Sequence, residues 1–139
     1  SLVSKIKKLK LNNYVKLLGQ TSNISEVMNG LDIHILSSSY GEGFPNVIAE
    51  SMTCGTPCIS TDVGDAALII GNTGWIVSPN KSSELAKAIE KAFSEMRSDN
   101  GKKKCIKARS RIKNKFDINK MLKSYNKLWF KVYKKNLNN

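Results

Sequence analysis

Two carboxylates stand eight positions apart around a segment whose residues favour the start of a helix. Glu42 lies between two glycines, and Glu50 follows Pro45 by five positions. Flanking glycines give the backbone freedom to bring a carboxylate close to a ligand. Proline is favoured at the start of a helix and glycine just past its end, so Pro45 and Gly55 predict a helix over residues 45–54.

The chemistry that this segment offers is hydrogen bonding to an anionic ligand that carries hydroxyl groups. The first amides of the predicted helix, at residues 46–48, have no acceptor within the helix and attract phosphate oxygens. Glu50 falls on the same helix face as Asn46, where a carboxylate suits the vicinal diol of a ribose. Glu42 offers a second carboxylate to other hydroxyls. The alternative interpretation is two solvated acids beside a turn.

These residues need a fold that holds a loop and a helix start at one edge, and the hydrophobic pattern predicts such a fold. Short apolar runs of strand length occur at residues 15–18, 33–36, 57–61 and 74–77. Helical segments alternate with them at residues 2–11, 24–28, 45–54, 82–96, 102–115 and 117–135, with a short helix between 63 and 70. This alternation predicts an α/β fold with a parallel, Rossmann-like sheet and helices on both faces. We expect residues 1–139 to form one domain.

The same patterns predict which side chains are buried. Residues 33–36 are expected to be buried on both faces of the sheet, with His34 as a core histidine. Five residues of the helix at 82–96 are expected to face the core: Leu85, Ile89, Ala92, Phe93 and Met96. The helix at 117–135 is amphipathic, with an apolar stripe made of Ile118, Met121, Leu122, Tyr125, Leu128, Trp129, Val132 and Tyr133. Trp129, Phe130 and Tyr133 are expected to be mainly core, with part of the apolar face bare in this chain.

The cysteines do not indicate a metal site or a disulfide. Cys54, Cys58 and Cys105 cannot all pair within one chain, and none has a CxxC spacing or a nearby histidine. We expect reduced thiols, with Cys54 and Cys58 as packing residues. Asp62 and Asp65 follow the third predicted strand, where they either face a ligand or shape a turn.

The positive charge of the chain is separated from its glycine-bearing central segment. The net charge is +12, yet residues 17–80 contain six acids and no lysine or arginine, while residues 81–139 contain eighteen basic and five acidic residues. An anionic ligand of the central segment must therefore be held without a basic side chain from that segment. No apolar run approaches the ~20 residues of a membrane-spanning helix, and the lysine-interrupted start does not match a signal peptide. The sequence predicts a cytoplasmic protein.

The central segment resembles the E-x7-E region of glycosyltransferase family 4. Residues 42–61, EGFPNVIAESMTCGTPCIST, are similar to the family pattern E-G-F, five variable positions, then E-A-M-A-C-G-x-P-V-[IV]-[AS]-[ST]. Ser51 and Thr53 depart from the alanines that are usual there, and both changes are mild. The likeness continues through residues 71–77, the helix after them and the aromatic-rich last helix.

The resemblance implies a retaining enzyme of the GT-B type, in which one Rossmann-like domain binds the acceptor and a second binds the donor sugar. This chain would be the C-terminal, donor-binding domain, without the N-terminal acceptor domain. Glu42 would contact the transferred sugar as the catalytic carboxylate, and Glu50 would hold the ribose of a UDP-sugar or GDP-sugar. The other motif positions would line the donor: Gly43, Phe44, Pro45, Asn46 and Val47.

The same resemblance implies transfer without a metal ion, because protein groups stabilise the leaving diphosphate in such enzymes. The family usually supplies an arginine and a lysine from a segment that precedes this one, and a catalytic histidine from the acceptor domain. With these missing, only the helix N-terminus would meet the developing negative charge. We therefore expect this chain to bind the nucleotide and to catalyse little transfer by itself.

Other functions stay open from the sequence. The lysine-rich C-terminal part could form a non-catalytic module that binds anionic lipid or nucleic acid, or a solvated face. Its aromatic residues lie on the apolar stripe and not among the lysines, which argues against nucleic acid. A nucleotide-sugar epimerase has the same overall fold, but the E-G-F match favours a glycosyltransferase. Peripheral contact with the inner face of the cytoplasmic membrane agrees with transfer to a glycan or a lipid-linked acceptor.

Overall fold

Three short parallel strands form the sheet in the computed structural model, which describes residues 1–137. In chain order they are β1 (His34–Leu36), β2 (Cys58–Thr61) and β3 (Trp75–Val77). β2 lies in the middle, and its Ile59 pairs with Ile35 of β1 and with Trp75 of β3. Because all three strands are parallel, their carboxyl ends lie at one edge of the sheet.

Helices cover both faces of the sheet, which confirms the predicted α/β architecture. Within the described residues they are α1 (Leu2–Lys8), α2 (Ile24–Asn29), α3 (Asn46–Thr53), α4 (Ala66–Ile70), α5 (Ser82–Met96), α6 (Asp99–Lys115) and α7 (Ile118–Leu137), with a 3-10 turn at Gly71–Thr73. On one face α3, α4 and α6 bury Ile48 and Ile69 beside Cys58 of β2. On the other face Ala92 of α5 packs near Ile59.

One predicted strand is wrong. Residues 15–18 form no strand, and the side chains of Leu17 and Leu18 are exposed. A strand needs a hydrogen-bonded neighbour, and no other described segment pairs with this one. The apolar run therefore lies as a loop between α1 and α2.

The predicted burial of β1 on both faces is also wrong in part. β1 is an edge strand that pairs only with β2 in the described sheet, and Ile35 is 40% exposed. His34 is half-buried, and burial lowers the pKa of its imidazole. Its Nδ1 is buried and has no hydrogen-bond partner among the described residues. The position of β1 at the edge explains the difference, because α5 packs mainly against β2 and β3.

The core-facing side of α5 differs from the predicted one. Ala92 is fully buried, and Leu85 and Met96 are partly buried against the same cluster. Phe93 is 58% exposed, with the Arg97 guanidinium over its ring, so its predicted burial is wrong. Ile89, predicted to face the core with them, is also exposed. One residue along a helix turns the side chain by about 100°, so Phe93 lies at the margin of the side on which Ala92 is buried.

The apolar stripe of α7 lies on the surface along its whole length. All eight stripe residues are exposed, and Trp129 is 70% exposed. The prediction that Trp129, Phe130 and Tyr133 are mainly core is therefore wrong, because none of them packs into the core of the described residues. The exposed part of the apolar face is larger than expected and includes the whole stripe. Of the described helices, none is long and apolar enough to cross a membrane.

The cysteines are free thiols, as expected. Cys58 is buried in β2, and burial raises the pKa of its thiol to about 12. Cys54 is half-buried just after α3. Cys58 therefore packs in the core and does not carry a reactive thiolate near neutral pH.

Two adjacent residues of α4 offer a direct test of this core. We expect Ile69→Ala to lower the free energy of unfolding by about 2–5 kcal/mol, because it leaves a cavity in the fully buried cluster. Leu68→Ala should change it by less than about 1 kcal/mol, because Leu68 is exposed. Urea denaturation followed by circular dichroism measures both values. Equal losses for the two variants would contradict the position of α4.

Candidate functional site

The segment between β1 and α3 lies at the carboxyl end of the sheet, where open α/β sheets bind ligands. Residues 37–45 form this segment, which we call the β1–α3 loop. Glu42 is half-buried in it, and Gly43 and Phe44 are exposed. The loop therefore presents a carboxylate at the predicted edge of the sheet.

Hydrogen bonds tie the β1–α3 loop to the end of β2 and to the segment that follows it. Thr61 Oγ1 donates to the carbonyl oxygen of Ser38 at 2.6 Å. The backbone amide of Asp65 donates to the carbonyl oxygen of Gly43 at 2.8 Å. Because β1 and β2 are parallel neighbours, both segments leave the sheet at the same edge and can hold each other in place.

Gly64 makes this junction possible. Its φ is +52°, and a Cβ added there would clash with the carbonyl oxygens of Glu42 and Gly43. Only glycine allows that approach without strain. The backbones of the two aspartates take part in these contacts, since the amide of Asp62 donates to the carbonyl oxygen of Val77 in β3 and the amide of Asp65 donates to that of Gly43. Both side chains are exposed, and whether they face a ligand stays a prediction.

Glu42, the predicted catalytic residue, is oriented by one hydrogen bond. Ser38 Oγ donates to Oε1 of the carboxylate at 2.7 Å. Among the described residues, no other side chain or amide donates to this carboxylate. Oε2 is therefore available to an incoming hydroxyl.

The start of α3 differs by one residue from the predicted start. α3 begins at Asn46, and Pro45 precedes it with a ψ of 93°, which is extended and not helical. The first hydrogen bond of the helix runs from the amide of Ile48 to the carbonyl of Pro45 at 3.0 Å. The amides of Asn46 and Val47 come before it and are free of the helical pattern. Asn46 is exposed, so the positive end of the helix dipole faces solvent.

Glu50 lies in a groove between α2 and α3, which we call the α2–α3 groove. The groove has a volume of about 360 Å³. Its lining residues are Ile24, Ser25, Met28, Asn46, Ala49, Glu50, Thr53 and Cys54. Glu50 is exposed and lies one turn from Asn46 on the same side of α3. A carboxylate, a helix start and an apolar wall thus share one groove.

The apolar wall from α2 was not predicted as part of the site. Ile24 and Met28 lie four positions apart and so on one face of α2. Thr56 fixes that helix, because its Oγ1 donates to the carbonyl oxygen of Met28 at 2.7 Å. The amphipathic spacing of Ile24 and Met28 was the available signal, but spacing alone does not tell which helix will lie beside α3.

A second groove lies where the α3 start meets the junction of α6 and α7, and we call it the α3–α7 groove. It has a volume of about 450 Å³. Its lining residues are Phe44, Asn46, Lys115, Phe116, Asp117, Ile118, Lys120, Met121 and Ser124. The Phe44 and Phe116 rings, with centroids 5.7 Å apart, join the two sides. Lys115 and Lys120, which lie outside residues 17–80, therefore line a groove that Phe44 of the loop also lines, which the sequence did not indicate.

The predicted site residues divide between these places. Asn46 borders both grooves, Glu50 lines the α2–α3 groove, and Phe44 lines the α3–α7 groove. Glu42 lines neither groove and lies in the tied loop beside Gly43. Within the described residues no three His, Cys, Asp or Glu side chains are placed to hold a metal ion. The metal-independent chemistry stays a prediction.

The chain is similar in sequence and in structure to known glycosyltransferases. Residues 1–95 match the sequence model of the family described as glycosyl transferases group 1. N-acetyl-alpha-D-glucosaminyl L-malate synthase of Bacillus anthracis is 28% identical over 99% of this chain and 36% of that protein. A glycosyltransferase of Rickettsia africae has a similar structure, with a TM-score of 0.86 and 32% identity over 94% of this chain and 35% of that one.

The HepE protein of Anabaena is a further structural neighbour. Its complex with UDP matches with a TM-score of 0.84 and 26% identity, over 94% of this chain and 36% of that one. Its complex with UDP-glucose matches with a TM-score of 0.81 and 25% identity. The chain spans about a third of the length of these three proteins.

The junction at Gly64 yields a second prediction. We expect Gly64→Ala to lower the free energy of unfolding by about 1–3 kcal/mol, because alanine is strained at a positive φ and its Cβ meets the loop carbonyls. Gly43→Ala is the matched control, since no atom lies within 4 Å of a Cβ there. Thermal denaturation of both variants measures the difference. A Gly64→Ala variant as stable as Gly43→Ala would show that the two segments are not in contact.

Proposed function

Because this chain belongs to the glycosyl transferases group 1 family, we propose that it is the donor-binding part of a glycosyltransferase and holds a nucleoside diphosphate sugar. The observation that carries the proposal is the α2–α3 groove, in which Glu50 lies one turn from the exposed start of α3. A diol-binding carboxylate and a phosphate-binding helix start at this separation suit a nucleoside diphosphate. The apolar wall of Ile24 and Met28 suits the face of a base.

The proposed roles of the residues follow the parts of such a ligand. Glu50 accepts hydrogen bonds from the ribose hydroxyls, and Val47 lies beside the ribose. The amides of Asn46 and Val47, with the backbone of Gly43 and Phe44, hold the diphosphate. Glu42, at the other end of the motif, accepts a hydrogen bond from the transferred sugar.

We propose UDP as the nucleotide in preference to GDP. The support is that HepE, which has the same fold over nearly all of this chain, has been solved with UDP and with UDP-glucose. The motif around Glu42 and Glu50 further supports a retaining, metal-independent enzyme of glycosyltransferase family 4 and of the GT-B type. The α3 start then stabilises the leaving diphosphate through its amides, and Lys115 adds positive charge from the neighbouring groove.

We propose that acceptor binding needs a second domain. The support is that the relatives are about three times as long as this chain. The bare apolar stripe of α7 supports it too, because such a stripe is usually covered by another protein surface. By itself the chain would bind the donor and transfer little sugar to a glycan or lipid-linked acceptor.

Titration of UDP and GDP into the chain tests the donor site. We expect Glu50→Ala to weaken UDP binding at least about tenfold, because hydrogen bonds to a charged group are worth about 1.5–3 kcal/mol. Glu90→Ala, which removes the same charge from the exposed face of α5, should change the dissociation constant less than about twofold. Isothermal titration calorimetry gives all the constants. If Glu50→Ala and wild type bound UDP with equal affinity, the proposed donor site would be contradicted. If the wild-type chain bound neither UDP nor GDP, the result would favour a non-catalytic basic module.

A peripheral membrane contact is a second proposal, and the lysine face of α7 supports it. α7 contains six lysines and no acidic residue. Four of them recur at spacings of three and four residues on the side opposite the apolar stripe: Lys123, Lys127, Lys131 and Lys134. All four are exposed. The stripe can then pack on another protein domain while the lysine face approaches anionic lipid.

Co-sedimentation with vesicles tests this contact. We expect binding to vesicles rich in phosphatidylglycerol and none to phosphatidylcholine, with loss of binding in about 0.5 M salt because the attraction is screened. Replacing the four α7 lysines by glutamine should weaken binding at least about tenfold, since each lysine near the surface contributes about 1 kcal/mol. The control replaces four lysines in and just after α1 with the same change of charge: Lys5, Lys7, Lys8 and Lys10. Equal losses would mean an effect of net charge only.

A further inference from the structure

The hydrogen bond from Ser38 to Glu42 belongs to a short chain that starts in the sheet. Thr61, the last residue of β2, is buried, and its Oγ1 donates to the carbonyl oxygen of Ser38 at 2.6 Å. Ser38 Oγ then donates to Glu42 Oε1 at 2.7 Å. The sheet therefore determines where one oxygen of the Glu42 carboxylate lies.

These two hydrogen bonds determine how the Glu42 carboxylate is oriented when it meets a ligand. The loop around Glu42 contains Gly41, with a φ of +83°, and Gly43, and a Cβ added at either glycine would have no atom within 4 Å. A glutamate side chain that no hydrogen bond holds in place samples several rotamers and loses that freedom on binding. With Oε1 held by Ser38, the carboxylate is oriented before the ligand arrives, and Oε2 keeps its lone pairs.

We propose that Ser38 is a positioning residue, which occupies Oε1 of Glu42 so that Oε2 accepts a hydrogen bond from one hydroxyl of the donor sugar. This inference rests on the proposed function of the site. Ser38 itself does not touch the sugar, so it should affect the sugar part of the ligand and leave the nucleotide part unchanged. Holding one rotamer-rich side chain in place corresponds to about three- to tenfold in affinity.

The matched control is Ser39, the neighbour of Ser38. Ser39 is exposed and makes no hydrogen bond to Glu42. It lies in a different cleft, which it shares with Thr61 and the start of α5. Ser39→Ala removes the same hydroxyl from the same loop without removing the contact to the carboxylate.

The experiment compares UDP with UDP-glucose, used as the sugar-bearing probe. Both are titrated into the wild-type chain, into the single variants Ser38→Ala, Ser38→Thr, Ser39→Ala and Glu42→Ala, and into the double variant that combines Ser38→Ala with Glu42→Ala. The ratio of the two dissociation constants is taken for each protein. We expect wild type to bind UDP-glucose more tightly than UDP, and Ser38→Ala to reduce that advantage about three- to tenfold with UDP affinity within about twofold of wild type. Ser38→Thr keeps the hydroxyl and should restore the advantage, and Ser39→Ala should keep it. In the Glu42→Ala background, Ser38→Ala should have no further effect, since both residues act through one contact.

The results that would contradict the role of Ser38 differ from the result that would contradict the proposed function. If wild type binds neither UDP nor UDP-glucose, the proposed function itself fails. If UDP binds but UDP-glucose has no advantage, or Ser38→Ala keeps the advantage, the role of Ser38 is overturned. If Ser38→Ala weakens UDP and UDP-glucose equally and lowers the melting temperature, Ser38 only stabilises the loop, and the inference is again overturned.

Discussion

The contact between the segments that follow β1 and β2 is the constraint on which the candidate site depends. Two parallel neighbouring strands end at the same edge of the sheet, so the loops that follow them lie close together. In this protein the two loops are hydrogen-bonded, because the Asp65 amide donates to the carbonyl oxygen of Gly43. Gly64 has no side chain and therefore lets the two backbones approach. If this contact opened, the loop would lose the position of Glu42 and the direction in which the chain enters α3.

α3 connects this contact to the two grooves, because one side of the helix is buried and the other side faces the grooves. Ile48, Ser51 and Met52 are buried against the sheet and α6, which fixes the axis and the rotation of the helix. Asn46 and Glu50 lie on its other side, one turn apart. A helix of eight residues has little stability of its own, so its buried side must provide the rigidity that its exposed side needs in order to bind a ligand.

Local sequence signals predicted the elements well, and failed where the outcome depended on a neighbour. Gly55 and Pro45 located α3 to within one residue because helix ends are a local property. The apolar run at 15–18 has the pattern of a strand but finds no pairing partner among the described residues. Phe93 is more hydrophobic than Ala92, yet Ala92 is the buried one, because the close approach of α5 to the sheet favours a small side chain. α2 and Lys115 line the grooves as a result of tertiary packing, which the spacing of residues along the sequence does not predict.

The separation of charge along the chain has a physical role in an anion site. Residues 17–80 carry six acids and no basic residue, and the whole chain carries +12. An approaching anion is attracted by the basic remainder at distances up to the Debye length of about 8 Å, and at contact it meets carboxylates that repel phosphate. The site can bind only if phosphate and carboxylates do not face each other. A helix start for the phosphates and Glu50 about one turn away, about 6 Å along the axis from Asn46, provide that separation. Moving the carboxylate by one turn toward Asn46 would place like charges together, so the spacing between motif residues matters as much as their identity.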